Sequence, residues 1–335
     1  TYKIAPAIAT GNTVVIKPTE VNPVTTVRLA EIAHDAGLPA GAINVVTGYG
    51  DEAGRALSAH EDIDKLAFTG GTEAGRSVAA SAGQNIVPAT LELGGKSPNI
   101  VFPDADLDNA LNGALRGIFS STGQTCVAGS RLFVHESIHD EFVERLIDRA
   151  EDIRPGDPFD PETQIGPIAC QPQYEKVKNY VQIAKDDGAT LVTGGEATGE
   201  YDQGLCFPPT IFTDVTNDMR IAQEEVFGPI LAVLPFSEEE EVVAEANDVE
   251  FGLAAGVWTE DMGRAHRMMD ELEAGVVWVN TYRKMSYTTP FGGKKASGIG
   301  RENGMDAVEE FVETKSVYLN TSGEVSNPFN PYDDA

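Results

Sequence analysis

Cys126 is the residue of this sequence best suited to nucleophilic chemistry. It lies in Gly123-Gln124-Thr125-Cys126-Val127-Ala128-Gly129. Small and polar neighbours leave a sulfur accessible, and nearby backbone N–H groups can hold a thiolate or an oxyanion. A small buried hydrophobe, the usual fate of a lone cysteine, fits the same pattern. Glu92 is the second candidate, at the end of the apolar run in Leu91-Glu92-Leu93-Gly94-Gly95. A carboxylate at the end of a buried parallel strand stands where α/β proteins bind ligands. A glutamate that simply reaches solvent there is equally consistent. Thr69-Gly70-Gly71-Thr72 joins an apolar run to a helical one. Glycines at such a junction allow close backbone approach, and a helix N-terminus favours phosphate, although many α/β junctions look alike. Gly48-Tyr49-Gly50 continues to Gly54 as GxGxxxG, which misses the dinucleotide fingerprint. Gly95-Lys96-Ser97 resembles the end of a P-loop, but Thr90 replaces its first glycine, which excludes that mode of ATP binding.

The elements that must position these residues follow a βα rhythm. Val14-Val15-Ile16 is a short buried-strand run. Pro23 opens a helix that ends at Gly37, in keeping with the Pro-first, Gly-last asymmetry. Strands are expected at 43–46, 66–68 and 87–93, with helices near 52–58 and from about Glu73. Continuous apolar strands separated by helices imply a parallel sheet covered on both faces. Further on, 106–119 reads as helix and 131–135 as strand. Ser137 with Asp140 reads as a capping box before an amphipathic helix using Ile138, Phe142, Leu146 and Ile147. Strands are expected at 230–234, 254–258 and 275–279, with helices at 238–246 and 262–272. The segment 283–300, rich in Gly, Ser and Thr, reads as one long loop of a kind that often carries function.

Composition narrows the setting. The 335 residues suffice for two domains. No apolar run approaches a membrane span, and no signal peptide is expected at the start. The net charge of −29 repels phosphate backbones, so nucleic acid is not an expected partner. The acids are dispersed, which reads as a hydrated surface suited to high intracellular salt, or as an ordinary acidic enzyme. Cys126, Cys170 and Cys206 form no CxxC, so a disulfide framework and structural zinc are not expected, and a reduced cytoplasm fits. The histidines (His34, His60, His135, His139 and His266) form no HExxH and read as structural or exposed.

Taken together, the motifs resemble the aldehyde dehydrogenase superfamily. The resemblance rests on Gly11-Asn12-Thr13-Val14-Val15-Ile16-Lys17-Pro18-Thr19-Glu20, Phe68-Thr69-Gly70, Leu91-Glu92-Leu93-Gly94-Gly95-Lys96-Ser97, Gly123-Gln124-Thr125-Cys126, Glu224-Glu225-Val226-Phe227-Gly228-Pro229 and Pro290-Phe291-Gly292-Gly293, in that order. It implies an α/β fold: a Rossmann-like parallel-sheet nucleotide domain plus an α/β catalytic domain. Residues 1–95 would be a partial NAD-binding domain and 96–296 the catalytic domain. Residues 297–312 would return to the nucleotide domain, 313–320 would be an oligomerisation strand and 321–335 a mobile tail. It also implies oxidation of an aldehyde to a carboxylic acid with NAD, NADP being admissible. Cys126 would attack as a thiolate to give a thiohemiacetal and then a thioester, which water activated by Glu92 hydrolyses. Lys17 and Glu20 would hold the adenosine ribose; Gly50, Gly70 and Gly71 would follow the nucleotide. Leu93 would lie beside the nicotinamide, and Glu225 and Phe227 would orient its ribose and ring. Ser120, Thr125, Val127 and Phe291 would line the aldehyde path and select no particular aldehyde; no cluster of arginines marks a carboxylate or phosphate pocket, though Arg116 and Arg283 could contribute to one. A small-molecule aldehyde and a homodimer or homotetramer are the implied partners; no membrane and no metal are.

Glu92 favours release of a free acid over transfer to coenzyme A, and Glu20 would repel the 2′-phosphate of NADP. Gly71 stands where many relatives have Ser. The family's oxyanion asparagine, in a TPWN-type motif, would fall just before Thr1, so the sequence reads as part of a longer enzyme. The competing readings are a catalytically inactive binding or structural relative and a coenzyme A-acylating semialdehyde dehydrogenase.

Overall fold

The computed structural model describes residues 1–197, 199, 204–323, 325 and 327–329. After the short α1 (Ile4–Ala9), strands β1 (Val14–Ile16) and β2 (Ile43–Val45) pair in parallel, joined by α2 (Val24–Asp35). Helix α2 starts after Pro23 and stops before Gly37, which takes a φ of +92° that side chains disfavour. A one-turn α3 (Arg55–Ser58) leads to β3 (Leu66–Thr69), α4 (Thr72–Asn85) and β4 (Ala89–Glu92), a second parallel βαβ unit.

The expected parallel pairing forms, but in two separate ladders rather than one sheet covered on both faces. The β1–β2 ladder stands apart from a three-stranded sheet of order β14-β4-β3, in which β14 (Gly298–Ile299) runs antiparallel to β4. Val15 is exposed, and only Leu66 of β3 is buried. A Val/Ile run encodes extended backbone, but burial of both faces depends on which other elements reach it.

The second half builds a seven-stranded sheet of order β12-β11-β5-β6-β9-β8-β7. Its strands are β5 (Pro98–Val101), β6 (Arg131–His135), β7 (Thr190–Thr193), β8 (Thr210–Thr213), β9 (Ile230–Phe236), β11 (Ala254–Trp258) and β12 (Val276–Val279). All neighbours are parallel except β7 with β8. Strand residues alternate between two cores, because successive side chains point to opposite faces. Leu132, Val134, Leu231 and Val233 face α5 (Leu107–Ile118) and α6 (His139–Glu151). Phe133, Ala232 and Leu234 face α7 (Gln171–Asp186), α8 (Arg220–Gln223), α9 (Glu239–Asn247) and α10 (Met262–Glu271). Arg131 is fully buried and satisfied by the carbonyls of Lys96, Glu245 and Ala246 and by Asn217 Oδ1, tying β6 to the C-terminal turn of α9.

Two local expectations need correction. No capping box forms at Ser137 and Asp140. The N–H of Ser137 donates to Nδ1 of His135 at 3.2 Å, which winds a 3-10 turn over Glu136–Ile138 before α6 begins. The box lies instead at Glu238 and Glu241, at the start of α9. The segment 283–300 is not one loop: β13 (Lys294–Lys295) pairs with β10 (Phe251–Gly252), and β14 follows it. A final turn, α11 (Asp306–Glu309), precedes the tail. The tail expected to be mobile falls partly on 324, 326 and 330–335, which lie outside the described residues.

Candidate active site

Cys126 is presented by a strained turn. After α5 the chain passes through Ser121, Thr122 and Gly123 at φ of 58°, 56° and 67°. Left-handed backbone at two non-glycine residues costs on the order of 1–2 kcal/mol each, so the surroundings must enforce it. Thr122 Oγ1 donates to the Gly166 carbonyl at 2.9 Å, and Ala169 N–H donates to Gln124 Oε1 at 2.8 Å. Any Cβ on Gly123 would run into the carbonyl of Gly228. A Cβ on Gly95 would run into the carbonyl of Cys126, so that glycine lets the end of β4 approach the cysteine. From behind, Tyr282 donates its hydroxyl to the Val127 carbonyl at 3.2 Å, and Arg283 donates to the Ser120 carbonyl at 2.9 Å.

Glu92 ends β4, opposite Thr69 of β3 and Gly298 of β14. It is 3% exposed, and neither carboxyl oxygen has a hydrogen-bond partner. A Cβ on Gly292 would sit 2.8 Å from Glu92 Oε1, so the glycine leaves room beside the carboxyl. Burial, and then the neighbouring Glu302, push the Glu92 carboxyl up to about 8, against the pull of Lys3 and Arg301. Burial, followed by Glu92 and Glu225, pushes the Cys126 thiol up to about 11. The N–H groups of Cys126 and Val127 oppose that rise. Burial and these carboxylates thus favour the neutral thiol in the free protein. Sequence reading missed Glu302 and Lys3, an ion pair beside Glu92 in which Lys3 also donates to Thr69 Oγ1 at 2.6 Å. No sequence motif joins residues so far apart; the pairing exists only in the fold.

The residues expected to hold a nucleotide gather at the carboxyl ends of β1 to β4, where open α/β sheets bind ligands. Lys17, just after β1, donates to the Gly48 carbonyl at 3.1 Å and pairs with Glu20 at 3.4 Å. Backbone and Lys17 hydrogen bonds hold the Glu20 carboxyl below its ordinary value. Gly50 opens the wide turn Gly50–Gly54, whose last glycine packs against the Lys17 stem. Gly70 and Gly71 end β3 and start α4. Gly71 faces open space, α4 has no side-chain cap, and Thr72 Oγ1 is buried without a partner. An uncapped helix start with an orphaned hydroxyl fits a phosphate group. Leu93 lies over Gly75 of α4, with its N–H on the Ser297 carbonyl at 2.9 Å.

Glu225 is held under the same strand end, Gly95 N–H donating to its Oε1 at 3.1 Å. Burial raises its carboxyl, against the pull of Gly95 N–H, Lys176 and Lys96. Phe227 takes a left-handed φ of 59°. Two residues of α7 that the sequence did not single out hold this turn. Gln173 donates to the carbonyls of Val226 and Phe227 at 2.8 Å each, and Lys176 donates to that of Glu225 at 2.8 Å. Of the residues expected along the aldehyde path, Ser120 and Thr125 are half-buried beside Cys126. Val127 and Phe291 are buried in the core cluster under α5. Phe291 pairs backbone to backbone with Glu302 at 2.7 Å, which links the aldehyde-side residues to the Glu92 neighbourhood.

Comparison with known proteins places this geometry among relatives. A model of the aldehyde dehydrogenase family matches residues 1–317. A betaine aldehyde dehydrogenase of Mesorhizobium japonicum is 51% identical over 330 residues, covering 98% of this chain and 67% of that protein. The structure of a betaine aldehyde dehydrogenase of Staphylococcus aureus in complex with NAD+ superposes with a TM-score of 0.96 at 42% identity, over 98% of this chain and 66% of that one. An NAD+ complex of an aldehyde dehydrogenase from Bacillus cereus gives 0.93 at 46% identity, over 96% and 65%. The chain thus spans about two thirds of the length of the proteins it matches.

Proposed function

Because the chain belongs to the aldehyde dehydrogenase family, NAD(P)-dependent oxidoreductases that turn aldehydes into carboxylic acids, we propose that Cys126 and Glu92 carry the two halves of that reaction. The observation that bears most weight is the unpartnered, buried Glu92 carboxyl beside a strained turn that presents Cys126. Cys126 Sγ attacks the aldehyde carbon, and the N–H groups of Cys126 and Val127 stabilise the negative charge that develops. NAD+, when bound, accepts the hydride from that carbon, and its positive ring favours the nearby thiolate. Glu92, once ionised, takes a proton from water as the oxygen adds to the thioester; the acid leaves and the thiol of Cys126 is restored. The sum is aldehyde, NAD+ and water giving carboxylate, NADH and two protons. The Lys3–Glu302 pair offers the proton on Glu92 a polar neighbour to leave by.

Lys17 and Glu20 would hold the adenosine ribose, Gly50, Gly70 and Gly71 the phosphate side, and Leu93, Glu225 and Phe227 the nicotinamide side. In this division, 1–95 with 297–312 form the nucleotide half and 96–296 the catalytic half. Ser120, Thr125, Val127 and Phe291 would border the aldehyde. Relatives named for betaine aldehyde support a small aldehyde as substrate. Residues 313–320 carry exposed Val317, Tyr318 and Leu319 and, among the described residues, join no sheet; as a strand added to a second copy they would make a homodimer or homotetramer. No described helix is long and apolar enough to cross a membrane, and the three free cysteines suit a reducing cytoplasm. The deciding experiment is single-turnover kinetics of Glu92→Gln. One equivalent of NADH per site without free acid supports the assignment; unchanged acid release refutes it.

A further inference from the structure

Arg283, at the Cys126 turn, and its neighbour Arg116 have no ion-pair partner among the described residues. Arg116 ends α5, one turn before the Ser120–Gly123 turn. Arg283 reaches the same turn from the other side, donating to the Ser120 carbonyl at 2.9 Å and to Ser121 Oγ at 3.3 Å. The backbone that carries it is fixed, because the ring of Tyr282 packs on Gly117 of α5 and its hydroxyl bonds to Val127. Arg283 is half-buried and feels both Arg116 and the Cys126 sulfur.

Among the described residues, no carboxylate pairs with Arg116 or Arg283, nor with Arg55, Arg131 or Arg301, whereas Arg145, Arg149, Arg220, Arg264 and Arg267 are ion-paired; Arg116 and Arg283 are the unpaired two that lie next to each other. With 53 acidic against 24 basic residues, partners are plentiful. Arg283 is partly buried and Arg116 is exposed, and two like charges side by side cost stability unless a ligand offsets them. Guanidinium groups match carboxylates in geometry and charge. We propose that Arg116 and Arg283 form an anion-recognition site at the aldehyde approach to Cys126, and that the preferred substrate is an aldehyde bearing a carboxylate at its far end. Ser120 and Ser121 supply polar groups on the same wall. A fixed cation such as trimethylammonium would be repelled there. The proposal rests on the dehydrogenase reading of Cys126 and Glu92.

The test compares 4-oxobutanoate, butanal and betaine aldehyde with NAD+ at low salt, for the wild-type protein, Arg116→Gln and Arg283→Gln. The carboxylated aldehyde should have the highest kcat/KM, about tenfold or more above butanal, and betaine aldehyde the lowest. Each substitution should lower the ratio of 4-oxobutanoate to butanal about tenfold, and Arg283→Lys should restore part of it. Equal use of butanal and 4-oxobutanoate, a preference for betaine aldehyde, or ratios unmoved by both substitutions would overturn the anion site while leaving the dehydrogenase intact. Failure to oxidise any of the three would overturn both. The wild-type ranking and Arg116→Gln on an exposed side chain decide the matter even if Arg283→Gln does not fold.

Discussion

Glu92 serves two conflicting demands. A base must be ionised to take a proton from water, yet burial and Glu302 hold this carboxyl up to about 8. Steady-state turnover limited by thioester hydrolysis should therefore rise about tenfold per pH unit below 8 and level off above it. Glu92→Gln should lower kcat by about 10²–10⁴ and flatten that profile. A profile of the same shape in the variant would assign the ionisation elsewhere. Cys126, raised to about 11, should alkylate slowly in the free protein and faster once NAD+ is present. The measurement is the iodoacetamide rate with and without NAD+; equal rates would sever cofactor binding from the sulfur. Glu20, held below its ordinary value and so charged at neutral pH, should exclude the 2′-phosphate of NADP. Glu20→Gln should shift the ratio of kcat/KM for NAD over NADP toward NADP by about tenfold.

At the scale of elements, the site is a meeting of strand ends with loops that cannot relax. The turn 120–123 holds three successive left-handed residues, and a methyl on Gly123 would collide with backbone. Gly123→Ala should destabilise the protein by about 3 kcal/mol or more, read from its urea midpoint, and reduce turnover of whatever still folds. An unchanged midpoint would mean that the turn can move aside. Helix α7 holds the Glu225–Phe227 turn through Gln173 and Lys176. Replacing either by Ala should raise KM for NAD several-fold with a smaller effect on kcat, whereas a selective loss of kcat would contradict a role in holding the cofactor.

For the whole molecule, charge and pH set stability. A net charge of −29 repels itself, and salt screens that repulsion, so thermal stability should climb with KCl concentration. A melting temperature that falls with salt would reject the high-salt reading. Glu92 adds a pH term of defined sign. Its folded pKa of about 8 lies above the ordinary carboxyl value of 4.5, so the folded state binds more protons between about 4.5 and 8. Its contribution is thus fully present at acid pH and lost as pH rises through that window. A shift of this size corresponds to about 5 kcal/mol, so Glu92→Gln should melt higher than wild type at pH 9 and nearly level with it at pH 4.5.

Local pattern carried much of this. The strands at 14–16, 131–135 and 254–258, helices α2 and α5, and the ordered motifs around Glu92 and Cys126 are legible because periodicity, Pro and Gly placement and short-range spacing are properties of contiguous chain. Other features had no local signature. The split of the N-terminal strands into two sheets depends on which neighbours reach them. The Ser137 capping box was lost to an imidazole acceptor two residues upstream, a contest between two local hydrogen bonds. The Lys3–Glu302 pair, the hold of α7 on Glu225 and the approach of Arg283 to the Cys126 turn join residues far apart in sequence. The sequence determined which groups could react. Only the tertiary structure decided their protonation, because burial and neighbouring charge, which set a pKa, are created when distant segments pack together.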